Sequence, residues 1–539
     1  MTWFLKGENA CFFITFVRFL IYNSKFMNKT KYYFSFLALF FMGSLAAQNV
    51  SENENRLKND TARVAICGFV PRQYNDVPDG FLVKAETMGT FSDGDFAPFW
   101  LTNNQFGLGS AETNKEYLRI NSLLNRNYGS GNSNVLLSVG IDMLVSHNLQ
   151  SDFYFHQLYA DLKYKKALLS VGAKERYSLF KNKDLSTGGM TLSANARPIP
   201  QVEVSIPDFI TVPYTKGYLQ FMGGLSYGWF GDDKFKRKNV DDGYYAEKVL
   251  YHRKYGFLKF EKVPEWSFIV GAEMDTQWGG HFYHAGEYWE KGSAKIGDFF
   301  KVLLPMKGGG DSNLTDRQNI VGNVYGSTHF IVSHKRKDFT VKAYHEHFFE
   351  DHSGLFFKNM PDGLYGIEVN LNKKGWLTGI LFEYLHTKDQ SGPFLWDKND
   401  AIPVQVSGGD NYYNHVDYAS LTNYGFVLGN PLLTSPIYNK GQSLTVYNTR
   451  LSSFNGGISG YIISDLKYRA LVTYSRSWGT PFVPSRSIRN QFSSMLETVY
   501  TNRNLRDWTF SGAVAYDNSN MVGDNVGVQF KISKLFRIQ

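Results

Sequence analysis

Ser226 lies in Gly224-Leu225-Ser226-Tyr227-Gly228, the G-x-S-x-G spacing of a hydrolase nucleophile. That motif activates a serine only where a strand turns sharply into a helix and lifts the hydroxyl clear of the sheet. Here Leu219, Phe221, Gly223, Leu225, Tyr227 and Trp229 alternate with Gln220, Met222, Gly224 and Ser226, so an uninterrupted strand is expected and no catalytic serine. Tyr344-His345-Glu346-His347, with Glu350, Asp351 and His352 behind it, is the densest set of metal-ligating side chains. On a strand His345 and His347 point the same way and could chelate. The spacing is not H-E-x-x-H, and no helix gathers the ligands on one face. A polar strand end is the expected reading, with no metal, no cofactor and no enzymatic turnover.

A different chemistry suits Asp410-Asn411-Tyr412-Tyr413-Asn414-His415, with Trp396 upstream. Sugars present hydroxyls at their edges and C–H patches on their faces. Amides and carboxylates bind the first, and flat aromatic rings stack on the second. The candidate polysaccharide contacts are Trp100, Trp396, Asp410, Asn411, Tyr412, Tyr413 and His415. The competing reading of the loop is a tyrosine-rich interface belt. Asp93 and Asp95, near Trp100, suit either a sugar or an Asx-type turn. Arg197, flanked by Pro198 and Pro200, belongs in a connecting loop or a segment folded into a lumen, because proline is poorly tolerated in a central strand. Glu203 and Asp208 are its candidate partners. No P-loop, dinucleotide fingerprint, paired-cysteine metal site or nucleic-acid patch is present.

The elements that would carry these residues are strands. From Tyr154 to Tyr164 one face reads Tyr154, His156, Leu158, Ala160, Leu162, Tyr164, and the other Phe155, Gln157, Tyr159, Asp161, Lys163. That length matches the ~9–11 residues of a tilted membrane-crossing strand. The same period of two recurs at Tyr365–Leu371, Leu466–Tyr474, Trp508–Tyr516 and Val526–Ile532. Long polar stretches at 282–320, 386–440 and 476–492 separate such runs. Outer-membrane barrels have this rhythm, with short periplasmic turns and long external loops. A soluble β-sandwich is the alternative, and the number of runs with aromatic ends disfavours it.

The chain has 539 residues and is rich in Gly (50), Tyr (34) and Phe (44), yet only 20% of it is charged. Alternating strands with aromatic girdles give such a mixture. From Met27, a basic Asn28-Lys29-Thr30-Lys31, an apolar run to Met42 and small residues to Ala47 read as a cleaved secretory signal. The true start is expected at Met27, with 1–26 an upstream extension. Cys11 precedes the signal, so only Cys67 remains in the exported chain and no internal disulfide is expected. Residues 1–47 carry half of the formal charge of +8, and the remaining excess is too small to demand an acidic partner. Residues 48–80 read as a polar periplasmic lead-in and 81–539 as the barrel.

Several clusters, taken in order, resemble the Wzi family of capsule-assembly proteins. They are Asp93–Gly107, Gln157–Tyr164, Asn195–Val202 with Ile206-Pro207-Asp208, Gly223–Phe230, His347–Asp351, Gly408–His415, Gly429-Asn430-Pro431-Leu432 and Thr434-Ser435-Pro436. The resemblance implies an all-β fold: a closed antiparallel transmembrane β-barrel of about eighteen strands. It also implies a non-enzymatic, lectin-like role at the cell surface, holding capsular or other surface polysaccharide. The partners implied are that glycan, outer-membrane lipid and the barrel-insertion machinery, with no nucleic acid and a monomeric state. The alternatives are a barrel hydrolase acting on lipid or glycan, and a diffusion porin.

Overall fold

The computed structural model describes residues 79–128, 135–240, 243–304, 321–350, 352–390, 410–439, 443–501, 505 and 507–538. The expected extension at 1–26, the signal at 27–47, the lead-in up to residue 78, and Trp396 lie outside the described residues.

Eighteen strands form one antiparallel sheet. They are β1 (Gly80–Gly94), β2 (Asn114–Tyr128), β3 (Val135–His147), β4 (Phe153–Tyr164), β5 (Ala167–Ala173) and β6 (Gln201–Thr211). Next come β7 (Leu219–Trp229), β8 (Leu250–Val263), β9 (Trp266–Trp278), β10 (Asn323–Lys335), β11 (Phe339–Phe349) and β12 (Gly363–Leu371). The last six are β13 (Gly379–His386), β14 (Leu451–Ile463), β15 (Leu466–Gly479), β16 (Pro484–Thr501), β17 (Trp508–Ser519) and β18 (Asn525–Ile538). Each pairs with its neighbours in sequence. β1 also pairs with β18, from Phe81↔Ile538 to Gly94↔Asn525, so the sheet closes on itself and has no free edge. Closure satisfies the backbone without water, which a membrane requires. No helix among the described residues is long and apolar enough to cross a membrane.

Side chains alternate as the period of two predicts. Leu225, Trp229, Ile367, Val472, Tyr474 and Ile532 are exposed on the outer wall, while Ser226, Glu368, Thr473, Asp517 and Gln529 are buried inside. β4 departs from the expected pattern. Gln157 pairs with Asp142 and Phe155 with Met143, so His156 is an extra residue in a β-bulge. The bulge inverts the facing of the residues before it: Phe153 and Phe155 point outward, and His156 is buried. Only Leu158, Ala160, Leu162 and Tyr164 keep the expected outer face. In β6 the register slips between Ile206 and Ile210, which places Pro207 where no ladder hydrogen bond is lost.

The two ends of the barrel differ. The end that holds Gly80 and Ile538 has tight turns at 165–166, 264–265 and 464–465. The other end carries the connections 95–113, 174–200, 230–249, 279–322 and 387–450. By the rule that external loops are the long ones, this second end faces outward.

Candidate functional site

The long connections do not all stay outside. Residues 174–200 leave β5 and cross the lumen to the opposite wall, half the circumference away. Asn182 Nδ2 donates to Glu368 on β12 (2.8 Å), and the Met190 amide to Glu346 on β11 (2.6 Å). Thr191 meets Ser327 on β10 (2.7 Å), and Asn455 on β14 donates to the Leu185 carbonyl (3.2 Å). Glu383 on β13 is the centre of this network. It accepts from Ser186 Oγ, from the amide and hydroxyl of Thr187, from Tyr344 Oη and from Asn455 Nδ2. Lys181 forms an ion pair with Glu346 at 2.8 Å.

Two further connections lock onto this crossing. In 95–113, the Trp100 indole donates to Thr473 on β15 (3.2 Å), and the Phe99 amide to Asp517 on β17 (2.8 Å). From 410–439, Asn430 Nδ2 donates to Thr187 Oγ1 and to the Gly188 carbonyl, both at 2.9 Å. Asn195 Nδ2 donates to the Val427 carbonyl at 3.1 Å. A side chain on Gly429 would strike the Met190 carbonyl and the Tyr413 hydroxyl, so only glycine permits this approach. The three segments form a plug.

The expected sugar contacts largely belong to this plug. Trp100 is 4% exposed, and Tyr412 and Tyr413 are 0% exposed, which leaves no ring face for stacking and corrects the expectation for these three. Their burial has a physical purpose. Tyr412 Oη bonds Asp362 and Asn359, and Tyr413 Oη bonds Met190 and Asn430, so each ring fills space while its hydroxyl is satisfied. Burial and the nearby Asp362 raise the Tyr412 phenol well above its ordinary value. Asp410 is buried as well, while Asn411 and His415 are half-buried. Desolvation lowers the His415 imidazole to about 4, and its Nδ1 accepts the Asp417 amide. Asp93, at the end of β1, accepts the amide of the next residue, Gly94 (3.1 Å).

Arg197 is also in the plug, but without the expected partners. Glu203 pairs with Arg176 and Asp208 with Lys163, both at 3.0 Å. The Arg197 guanidinium instead lies between the rings of Tyr154 (3.6 Å) and Tyr424 (4.0 Å). The hydrolase and metal motifs do not assemble. Ser226 sits mid-strand and bonds Gln201. In the HEH group, Glu346 points inward to Lys181, while His345 stacks on Tyr365 at 4.3 Å and both nitrogens of His347 contact carbonyls of the 350–362 connection.

Three groups of His and carboxylates do bring ligand atoms within 4.8 Å of one another. Arg119 bridges Asp142 and Glu175 in the first. Arg253 and Lys181 neutralise Glu273 and Glu346 in the second. In the third, Asp362 accepts the Asp389 amide and the Tyr412 hydroxyl, both at 3.0 Å. Protein groups already complete each cluster.

A feature not found in the sequence lies in the outer connections. Tyr244–Glu247, His281–His284 and Glu287–Lys291 form a small three-stranded sheet. At its tip Tyr288 is 55% and Trp289 48% exposed, and Tyr244 stacks on His284 at 4.2 Å. The only sequence signal was the aromatic density of Phe282–Trp289.

No family profile and no curated protein matches the chain. Among solved structures, one that matches is Wzi of Escherichia coli, described as an outer membrane protein involved in group 1 capsule assembly and a carbohydrate binding β-barrel. The TM-score is 0.54 at 14% identity, covering 84% of this chain and 85% of that one. OccK5 (OpdH) of Pseudomonas aeruginosa gives a TM-score of 0.44 at 10% identity, over 85% of this chain and 99% of that one. OccAB2 of Acinetobacter baumannii gives 0.45 at 10%, over 85% and 98%. The chain has the fold of Wzi, a closed outer-membrane barrel of eighteen strands.

Proposed function

We propose that the protein holds a surface polysaccharide, a capsule by analogy of fold, at its outward connections and without covalent chemistry. The observation that carries this reading is the plug. Three long connections are spent on filling the lumen rather than on lining a passage, and the remaining outer surface carries exposed aromatic side chains. Stacking on Tyr244, Tyr288 and Trp289 would supply the affinity, at roughly 0.5–1.5 kcal/mol per aromatic contact. Polar edges such as Asn411 and His415 would supply selectivity. Export through a cleaved signal and a monomeric state belong to the same proposal.

The test is a deletion strain in which cell-attached and released polysaccharide are quantified. The intact gene should restore attachment. A Tyr244→Ala/Tyr288→Ala/Trp289→Ala variant that still inserts should not. Unchanged attachment in the deletion strain would sink the reading.

A further inference from the structure

One stretch of the outer wall is not bare to lipid. β7 has the 11 residues that a tilted strand needs to cross, and Leu225, near its middle, is exposed on the outer face. Leu225 pairs with Lys254 on β8, and Lys254 with Met274 on β9, so Lys254 faces outward at the same register. His252 faces outward by pairing with Tyr227, and Trp278 by pairing with Leu250 opposite Trp229. An uncovered ammonium on the lipid face of a barrel is costly. His252 and Trp278 are nevertheless buried, so protein covers this part of the wall.

The cover is the helix Ile296–Leu303, in the connection between β9 and β10. It is entered at the rim, where the Gly292 amide donates to the Gly280 carbonyl (2.9 Å). It ends at Lys254, four residues inside the outer end of β8. Its last two carbonyls, Val302 and Leu303, accept from Lys254 Nζ (2.9 and 2.6 Å). A cation there satisfies carbonyls that have no partner within the helix and complements the helix dipole. Tyr227 Oη donates to the Phe299 carbonyl (2.8 Å), the Phe299 ring meets Trp278 edge-on at 4.6 Å, and Val302 is fully buried.

The opposite face of the helix looks away from the wall. Ile296, Phe300 and Leu304 are 82%, 67% and 65% exposed, and the spacing of four residues stacks them in one stripe. These side chains have no polar atom for a sugar hydroxyl, and they continue the exposed apolar surface of Leu225 and Trp229. The connection between β11 and β12 repeats the arrangement. His347 faces outward, its Nε2 lies 3.0 Å from the Gly354 carbonyl, and Phe357 packs on its ring at 4.5 Å. Phe356 and Met360 of that connection are exposed.

We propose that the helix Ile296–Leu303 is a membrane foot, folded down over the outer wall with Ile296, Phe300 and Leu304 among the acyl chains of the outer leaflet. An amphipathic helix in this position buries its apolar face about 5–10 Å into the boundary between headgroups and chains. Lys254 fixes its inner end to the barrel. Residues 292–295 join the foot to the small sheet that carries Tyr288 and Trp289, so it also holds that sheet at the membrane surface. The foot stands independently of what the sheet binds.

The test uses the full-length protein in phosphatidylcholine vesicles, with Cys11→Ser and Cys67→Ser removing the native thiols. A nitrobenzoxadiazole label is placed at Phe300→Cys, at Leu304→Cys or at Tyr288→Cys on the tip of the small sheet. All three positions are exposed, so the labels disturb no packed contact. The labels at 300 and 304 should lose most of their emission when the acyl chains are brominated near the headgroup, and aqueous iodide should barely quench them. The label at 288 should show the reverse. Iodide quenching at 300 and 304 as strong as at 288 would place the helix in water and overturn the proposal. Protection from iodide without quenching by brominated chains would mean that protein covers the stripe, and overturns it as well. Energy transfer between labelled copies would then identify a second copy of the chain as that cover.

Discussion

Compare the strand Leu466–Gly479 with the segment Tyr412-Tyr413. On the strand, Val472 and Tyr474 leave 46% and 43% of their surface open, whereas the two tyrosines of the segment leave none. A soluble protein would show the reverse, with the strand buried and the loop exposed. The difference shows that this molecule has two environments arranged inside out. Apolar side chains on the wall meet lipid, so their exposure is favourable. The interior is polar and is filled by loop segments that hydrogen-bond the wall and one another, because an unpaired buried group is costly.

Removing the plug would break this contrast most severely. Replacing 178–195 by a short glycine–serine linker should open the lumen, because this segment bonds strands β10 to β15 in turn. Planar-bilayer conductance should be small for the parent and porin-like for the variant. Next in size is Glu383→Ala, which leaves the donors of Ser186, Thr187, Tyr344 and Asn455 without their acceptor. A loss of about 3 kcal/mol or more is expected, read by urea unfolding in micelles through tryptophan fluorescence. On the wall, Val472→Arg should cost about 2–4 kcal/mol in lipid, because it lies at mid-strand. The same change should cost much less in a detergent micelle that lets the side chain reach water.

The smallest effect sharpens the comparison through pH. Burial pushes the Asp362 carboxyl up to about 7, with Asp389 adding to the rise and the Tyr412 hydroxyl and Asp389 amide opposing it. His386 also faces it, with Nε2 3.9 Å from Oδ1. An unfolded aspartate titrates near pH ~4, so between these values the native state holds the extra proton. Stability should therefore fall as pH rises through that window and level off above about pH 7. Asp362→Asn should flatten the slope and gain on the order of 1–3 kcal/mol at pH 8, measured as the urea midpoint against pH. An unchanged slope would show that Asp362 stays charged at neutral pH.

Much of the fold was legible because it rests on local rules. Period-two alternation needs only neighbouring residues, and it identified the lipid face of β7, β12, β15, β17 and β18 correctly. It failed in β4, where one inserted residue at His156 inverted everything before it. A bulge is set by pairing with the neighbouring strand, and nothing in the segment itself marks it. The candidate sugar contacts misled for a related reason. Tyrosine, asparagine and aspartate suit a glycan and suit a buried polar network equally well. Trp100, Tyr412 and Tyr413 took the second role, whereas Pro198 and Pro200 did mark their segment as unfit for a central strand.

The sequence by itself determined that the chain makes alternating strands with two faces, and that tight turns and long connections separate them. The resemblance of its clusters added the barrel, and closure of β1 onto β18 makes it one. Folding in three dimensions is what sends 174–200 across the lumen, lets Glu383 and Asn430 secure it, and sets Arg197 between two tyrosines. Strand period is a property of neighbours along the chain. The plug joins Thr187 to Asn430 and Asn182 to Glu368, pairs 243 and 186 positions apart, and spacing along the chain cannot encode those contacts.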